Sequence, residues 1–364
     1  MSGNKKPATV LIRADGSAQI GLGHIMRCIA LAQGLLKEGC APLFISKTLD
    51  GASSKILSQY QIQFVSISDS LSEEEDAEAT LRLAFEKKAR LLVIDNYALG
   101  EKFRQRMKKA GLKSLVVDDI AEANTITADI ILNQNMGAET YLEKYRAIAS
   151  DAGQYLLGAN YAMFREDILQ RGADARSSRA SHLNELFIGR KPDLIVTFGG
   201  SDVAGLTSVV MKELLNLTDL FQNAFIIIGP GMKNENQIND IQALALQSSQ
   251  LVILKNPSLA DYMARADIAI TAGGSTTHEL AYFGIAMLII QAADNQKLIC
   301  REYKKRAMAL VMNWDTPQCA LLRNKINKML SNPDLIAQFS QSCMSAIDGG
   351  GVSRIINALT ASSA

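Results

Sequence analysis

Two doubly wound α/β domains are what this sequence predicts, and three observations predict them. At 364 residues the chain exceeds what one hydrophobic core usually organises. In both halves short apolar runs alternate with stretches of helical periodicity, the pattern of parallel strands joined by crossover helices. That pattern breaks at 171–191, a polar, small and charged stretch that reads as a linker or flexible loop, and then restarts. The expected division is a Rossmann-like domain over 1–170, a linker over 171–191 and a second Rossmann-like domain over 192–348. A last helix over 349–364, after Gly349-Gly350-Gly351, is expected to cross back to the first domain. The two domains are expected to face a central cleft.

Element by element, the first half predicts strands near 8–13, 41–46, 62–67, 90–95, 113–118 and 129–132. The first is an apolar run, Val10, Leu11 and Ile12. The helix after it is read from Ile25, Ile29, Ala32 and Leu36, which recur at helical spacing over 24–38. Further helices are expected over 72–88 and 99–110. The run Glu73-Glu74-Glu75-Asp76 reads as an acidic helix start favoured by the macrodipole. The second half predicts strands at 193–198, 224–228, 250–254, 267–270 and 286–290, with helices at 204–217, 257–265, 275–283 and 294–306. Beyond about residue 317 the pattern is helical throughout.

Composition narrows the function classes. The formal charge is +1, from 38 basic and 37 acidic side chains, so nothing suggests a nucleic-acid partner. Hydrophobic residues make up 48%, enough for two packed cores, yet no apolar run approaches membrane-spanning length and no secretory core follows Lys5 and Lys6. Five scattered cysteines without a C-x-x-C pair argue against a disulfide framework or a zinc site. The expectation is a soluble, cytoplasmic protein with a small-molecule ligand and no stable membrane insertion. No cofactor or metal is read from the sequence.

The most informative stretch is Arg13 to Cys28. It places His24 after a glycine turn, Gly21-x-Gly23, in the first turn of a helix at the carboxyl end of the first strand. Open α/β sheets bind ligands there. A helix N-terminus favours a neutral imidazole, which can take a proton from water, so His24 is a candidate general base. The alternative is that the glycines let the backbone pass and His24 caps. The stretch also lacks the third glycine of a dinucleotide fingerprint.

Three further turns fall at expected strand ends. Gly199-Gly200-Ser201-Asp202 and Gly273-Gly274-Ser275-Thr276 have the glycines and hydroxyls that suit a diphosphate, and Glu279 could accept hydrogen bonds from a ribose diol. Each loop alone reads better as structural, whereas both together, at equivalent points of one domain, point to a nucleotide diphosphate; neither is a Walker A sequence. Asp95-Asn96-Tyr97 should lie on the same sheet edge as His24, orienting a sugar or the imidazole; the alternative is that Asp95 caps the next helix. Asp118-Asp119 reads as a solvated turn and His182 as solvent-facing within the linker.

These residues carry a resemblance. Arg13-x-Asp15-Gly16-Ser17-x-x-Ile20-Gly21-x-Gly23-His24-x-Met26-Arg27 resembles the opening of the pseudaminic acid pathway UDP-sugar hydrolases, which are related to spore-coat polysaccharide proteins and to MurG-like GT-B enzymes. Asp95-x-Tyr97, Gly199-Gly200-Ser201-Asp202, Gly273-Gly274-Ser275-Thr276-x-x-Glu279 and Asp294-Asn295-Gln296 agree with it, so the likeness spans nearly the whole chain. It implies a GT-B fold. It also implies metal-independent, inverting C–O cleavage of UDP-2,4-diacetamido-2,4,6-trideoxy-β-L-altropyranose to UDP and free sugar, in nonulosonic acid biosynthesis.

By position it implies that His24 activates water. Asp15, Gly21, Gly23, Asp95, Tyr97, His278, Asn295 and Gln296 would then surround the substrate. Gly200, Ser201, Gly274, Ser275, Thr276 and Glu279 would hold UDP. Two residues depart from the pattern: Asn96 stands where a His is frequent, and His278 where some relatives place an Asn. The competing readings are a glycosyltransferase using a UDP-sugar donor and a non-catalytic nucleotide-sugar binding protein.

Overall fold

The structure, a computed structural model, describes residues 8–16, 23–47, 51–314 and 318–361. It divides into two compact units, 1–166 with 349–364, and 167–348. Unit 1 runs β1 (Thr9–Ala14), α1 (Gly23–Lys37), β2 (Ala41–Ser46), α2 (Gly51–Gln59), β3 (Gln63–Ser66), α3 (Glu73–Lys87), β4 (Leu91–Asp95), α4 (Glu101–Lys109), β5 (Lys113–Val117), β6 (Ile130–Asn133), α5 (Leu142–Ile148) and β7 (Gln154–Leu157). After α6 (Glu166–Phe187), unit 2 runs β8 (Leu194–Thr197), α7 (Leu206–Leu214), β9 (Ala224–Ile228), α8 (Glu235–Ala245), β10 (Leu251–Lys255), α9 (Leu259–Met263), β11 (Ile268–Ala272), α10 (Thr276–Tyr282), β12 (Ala286–Gln291), α11 (Lys297–Lys305), β13 (Ala309–Asn313), α12 (Cys319–Leu330) and α13 (Pro333–Ala346). Finally α14 (Gly351–Thr360) belongs to unit 1.

Each unit is a Rossmann-like layer of parallel strands. Unit 1 has the order β3-β2-β1-β4-β5-β6-β7 and unit 2 the order β10-β9-β8-β11-β12-β13. The order reverses at β1/β4 and at β8/β11, and such switch points open a crevice at the strands' carboxyl ends. Strands buried on both faces explain the near-continuous apolar runs: Val10, Leu11 and Ile12 are fully buried, as are Leu288, Ile289 and Ile290.

The last helix closes the unit 1 core. Val352, Ile355, Ile356 and Leu359 pack with Ile25, Ile29 and Leu35 of α1. Gly34 makes the approach possible, since a Cβ there would lie 2.3 Å from Val352 Cγ1.

The linker expected over 171–191 is corrected by the structure: α6 continues through Phe187. Two of its arginines are anchors rather than solvated spacers. Arg179, 2% exposed, donates to the carbonyls of Gly284 (3.1 Å) and Ala266 (2.9 Å), and Arg176 donates to those of Tyr282 (2.7 Å) and Met344 (2.9 Å). Gly172 lies against the Tyr282 ring, where a Cβ would come within 2.3 Å. His182 is not simply solvent-facing either: its Nε2 is 3.0 Å from Oδ1 of the buried Asp267. No helix among the described residues is long and apolar enough to cross a membrane.

Candidate active site

In unit 1 the switch point gathers a charged cluster. The carboxyl ends of β1 and β4 lie side by side, with Ala14 in register with Asp95. Helix α1 starts at Gly23 and presents His24 and Arg27 three residues apart, hence on one face. Both meet Asp95. His24 Nδ1 lies 2.7 Å from Asp95 Oδ1, and Arg27 donates from Nε to Oδ2 and from Nη2 to Oδ1, each at 2.6 Å. Cys28 Sγ donates to Oδ2 at 3.4 Å.

Burial alone would raise the Asp95 carboxyl. The Arg27 guanidinium, joined by His24, more than offsets this and holds it well below the usual carboxylate range. A permanent carboxylate facing Nδ1 favours the tautomer with its proton there, which leaves the Nε2 lone pair as the base. The His24 side chain is 15% exposed.

The second carboxylate corrects the sequence reading. Asp118 and Asp119 are not a solvated turn. Asp118 turns inward, accepting from the amides of Ile120 (3.1 Å) and Ala121 (2.6 Å) and from the Tyr145 hydroxyl (2.7 Å). Asp119 accepts from Arg27 Nη1 at 3.0 and 2.9 Å, from Asn135 Nδ2 at 3.1 Å and from the Tyr97 hydroxyl. The Tyr97 ring stands edge-on to His24, centroids 5.0 Å apart at 85°, and is 57% exposed. Sequence reasoning assigned no role to Arg27 or Asp119. The usable signal was the His24-x-x-Arg27 spacing on one helix face.

Asp15 belongs to a different network. The fully buried Arg13 bridges it (2.6 Å) to Asp76 of α3 (2.8 Å). Asp15 also accepts from the Lys47 amide (2.7 Å), Ser46 Oγ (3.0 Å) and Asn96 Nδ2 (2.6 Å). Both of its oxygens are engaged with protein groups, so it holds the edge of the sheet together rather than reaching out to a ligand. Asn96, through Oδ1, also accepts from the Ala98 amide at 2.8 Å and so fixes the loop that carries Tyr97. Gly23 opens α1 with free space where a Cβ would be. Gly21 lies outside the described residues.

Unit 2 carries the glycine loops at its own switch point, after β8 and β11. Gly200 is exposed, its carbonyl accepting from the Gly231 amide at 2.8 Å. Asp202 sits in the left-handed region, φ 42°, and its carboxylate accepts from the Leu206 and Thr207 amides at 2.9 Å each. The first-turn amides of α7 are thus already met by a protein anion, which leaves Ser201 and the Gly200 backbone as that loop's offering.

The second loop is more open. Gly274 has free space around it, and Ser275 is exposed, with Thr276 and Glu279 half-buried on the short helix that follows. Gln296 ties this loop to the 292–296 turn, its Oε1 accepting from the Gly273 (3.3 Å) and Ala292 (2.9 Å) amides. Asn295 beside it is exposed. His278 is different: it is 3% exposed and packs edge-on against the buried Tyr303, centroids 5.9 Å apart, so it supports α10 from within instead of facing a ligand.

Comparisons with known proteins agree with this architecture. Residues 194–348 match the glycosyltransferase family 28 C-terminal domain. The chain is 27% identical to the UDP-2,4-diacetamido-2,4,6-trideoxy-beta-L-altropyranose hydrolase of Campylobacter jejuni over 293 residues, covering 80% of this chain and 91% of that one. It is 21% identical to the spore coat polysaccharide biosynthesis protein SpsG of Bacillus subtilis, covering 94% and 95%. An uncharacterized Methanocaldococcus jannaschii protein is 24% identical over 84% of this chain, which spans 60% of that relative's length.

Among solved structures, Acinetobacter baumannii MurG superposes with a TM-score of 0.68 at 17% identity, covering 97% of this chain and 99% of that one. S. aureus MnaA, solved with UDP, gives 0.64 at 11% identity, covering 96% and 95%. With its two parallel Rossmann-like sheets, the chain has the GT-B fold.

Proposed function

We propose that this protein hydrolyses a UDP-linked sugar, releasing UDP and the free sugar, with UDP-2,4-diacetamido-2,4,6-trideoxy-β-L-altropyranose as the substrate in nonulosonic acid biosynthesis. The observation that carries the reading is the His24–Asp95 pair, an imidazole held at Nδ1 by a buried carboxylate at the edge where doubly wound sheets bind ligands. The Campylobacter relative's name and the UDP in the MnaA structure support the substrate class.

In this mechanism Asp95 accepts a hydrogen bond from the Nδ1–H of His24 and stays ionised, and Nε2 takes a proton from water as its oxygen attacks the anomeric carbon. The C–O bond to the diphosphate breaks on the opposite face, inverting the centre, and its electron pair leaves with UDP. The departing charge is met by the Gly200, Ser201, Gly274, Ser275 and Thr276 loop groups, with Glu279 on the ribose. Tyr97, Asn295 and Gln296 position the sugar. No step calls on a metal or cofactor.

Incubation with the UDP-altrose derivative should yield UDP and free sugar in equal amounts. His24→Ala should lower kcat by about 10²–10⁴-fold, the usual worth of a general base, while UDP still binds. Near-normal turnover by that variant would remove His24 from the mechanism. The family 28 match over 194–348 favours a second reading, transfer of the sugar to an acceptor instead of to water. A glycosylated acceptor among the products, in place of free sugar, would select it. Tight UDP-sugar binding without turnover would instead mark a binding protein.

A further inference from the structure

We infer that the Arg27–Asp119 pair fixes the polarity of Tyr97: with its only proton given to Asp119, the Tyr97 hydroxyl meets a bound sugar solely as a hydrogen-bond acceptor, and so selects a donor group there, a hydroxyl or an acylamino N–H. The inference rests on the sugar-nucleotide reading above and names what one wall of that site demands.

A phenol has one proton and two lone pairs, and an ionised carboxylate only accepts. Asp119 is engaged at both oxygens by Arg27 Nη1, and at Oδ1 by Asn135 Nδ2, so the Tyr97 hydroxyl must be the donor in their contact. Burial and the Asp119 charge push the phenol well above its usual range, so it keeps that proton.

Arg27 cannot turn away to release Asp119. Its Nε and Nη2 are held by Asp95 at 2.6 Å each, and the residue is 9% exposed. Asp95, Arg27, Asp119 and Tyr97 therefore form one continuous chain of charge-assisted hydrogen bonds. It ends in the phenol of an exposed tyrosine whose ring abuts His24. Asp119 acts through Tyr97 and is a positioning residue.

The test has two arms. In ligand-free protein labelled with ¹³C-tyrosine, the Tyr97 Cζ resonance, assigned through Tyr97→Phe, should move in Asp119→Asn. An unmoved resonance would overturn the inference. In the second arm, KM for the UDP-altrose derivative is measured for wild type, Tyr97→Phe, Asp119→Asn and the double variant.

Tyr97→Phe should raise KM about threefold to tenfold, the worth of one hydrogen bond, with kcat little changed. Asp119→Asn should raise KM at least as much, because its amide can offer N–H to the phenol and turn the hydroxyl outward as a donor. The double variant should be no worse than Tyr97→Phe alone. A wild-type KM for Asp119→Asn, or additive effects, would overturn the proposal. Asp119→Ala, which also frees the hydroxyl to donate, replaces Asp119→Asn if that variant fails to fold. Should the wild-type protein ignore the UDP-sugar altogether, the functional reading fails, and the Cζ shift alone decides who holds the proton.

Discussion

At the scale of single residues, Asp95 and Asp267 show how buried carboxylates take different parts. Asp95 is buried beneath His24 and Arg27, and in the proposed mechanism its contribution is orientation. Asp95→Asn keeps the shape but offers an N–H where Nδ1 needs an acceptor, which favours the wrong tautomer. We expect kcat to fall by about 10²–10⁴-fold with KM nearly unchanged, measured by UDP release.

Asp267 lies at the other end of its sheet and is bound by His182, Arg190 and the Asp193 amide. Burial would raise its carboxyl, but these partners hold it to about 2, against an ordinary 3.8. A depressed carboxylate stabilises the fold above its unfolded value, and that stability is lost as pH falls toward the folded one. The contribution is about 2 kcal/mol, present at neutral pH and lost between about pH 4 and 2. Urea unfolding of wild type and Asp267→Asn across that window should show their stability difference shrinking with acid. A constant difference would contradict the assignment.

At the scale of elements, the strands were the most legible feature, because strands buried on both faces write themselves as apolar runs. The stretch read at 224–228 is β9, and 41–46 is β2. Less legible were α2, α5, β7 and β13, where short length or mixed polarity blurs the period. Helix α6 was misread for a physical reason. Its Arg176 and Arg179 look solvated in sequence, but carbonyls of neighbouring helices and loops take up their guanidinium groups.

The site shows the same asymmetry. His24, Asp95 and Tyr97 were legible from motif and strand ends, whereas Asp119 pairs with a residue 92 positions away, a juxtaposition no local pattern reveals. Packing of α6 gives its own prediction. Gly172→Leu must displace the Tyr282 ring, so unit 2 should lose about 1–3 kcal/mol in urea unfolding, with Gly172→Ala milder. Wild-type stability in Gly172→Leu would show that α6 can shift away from the ring.

At the scale of the whole molecule, the chain order and the domain order differ. Unit 1 is completed only by the last helix, α14, after the chain has built all of unit 2. The side chains of α14 are part of the unit 1 core: Ile355 is fully buried and clusters with Ile29, Leu35 and Val352. Ile226, Leu288 and Ile336 belong to a different cluster, in unit 2. A cavity at Ile355 should therefore act on one unit. Ile355→Ala removes buried methyl and methylene groups and should cost about 2–5 kcal/mol, according to how far the site collapses. Hydrogen exchange read by peptide should report that loss as faster exchange in β1, α1 and β4, with β8, β11 and β12 unchanged. Because α1 carries His24 and Arg27, the same variant should lose turnover at a temperature where UDP binding survives, if UDP is held by the unit 2 loops. Equal acceleration of exchange in both sheets would show that the two cores unfold as one, and that the C-terminal helix supports more than the unit it packs into.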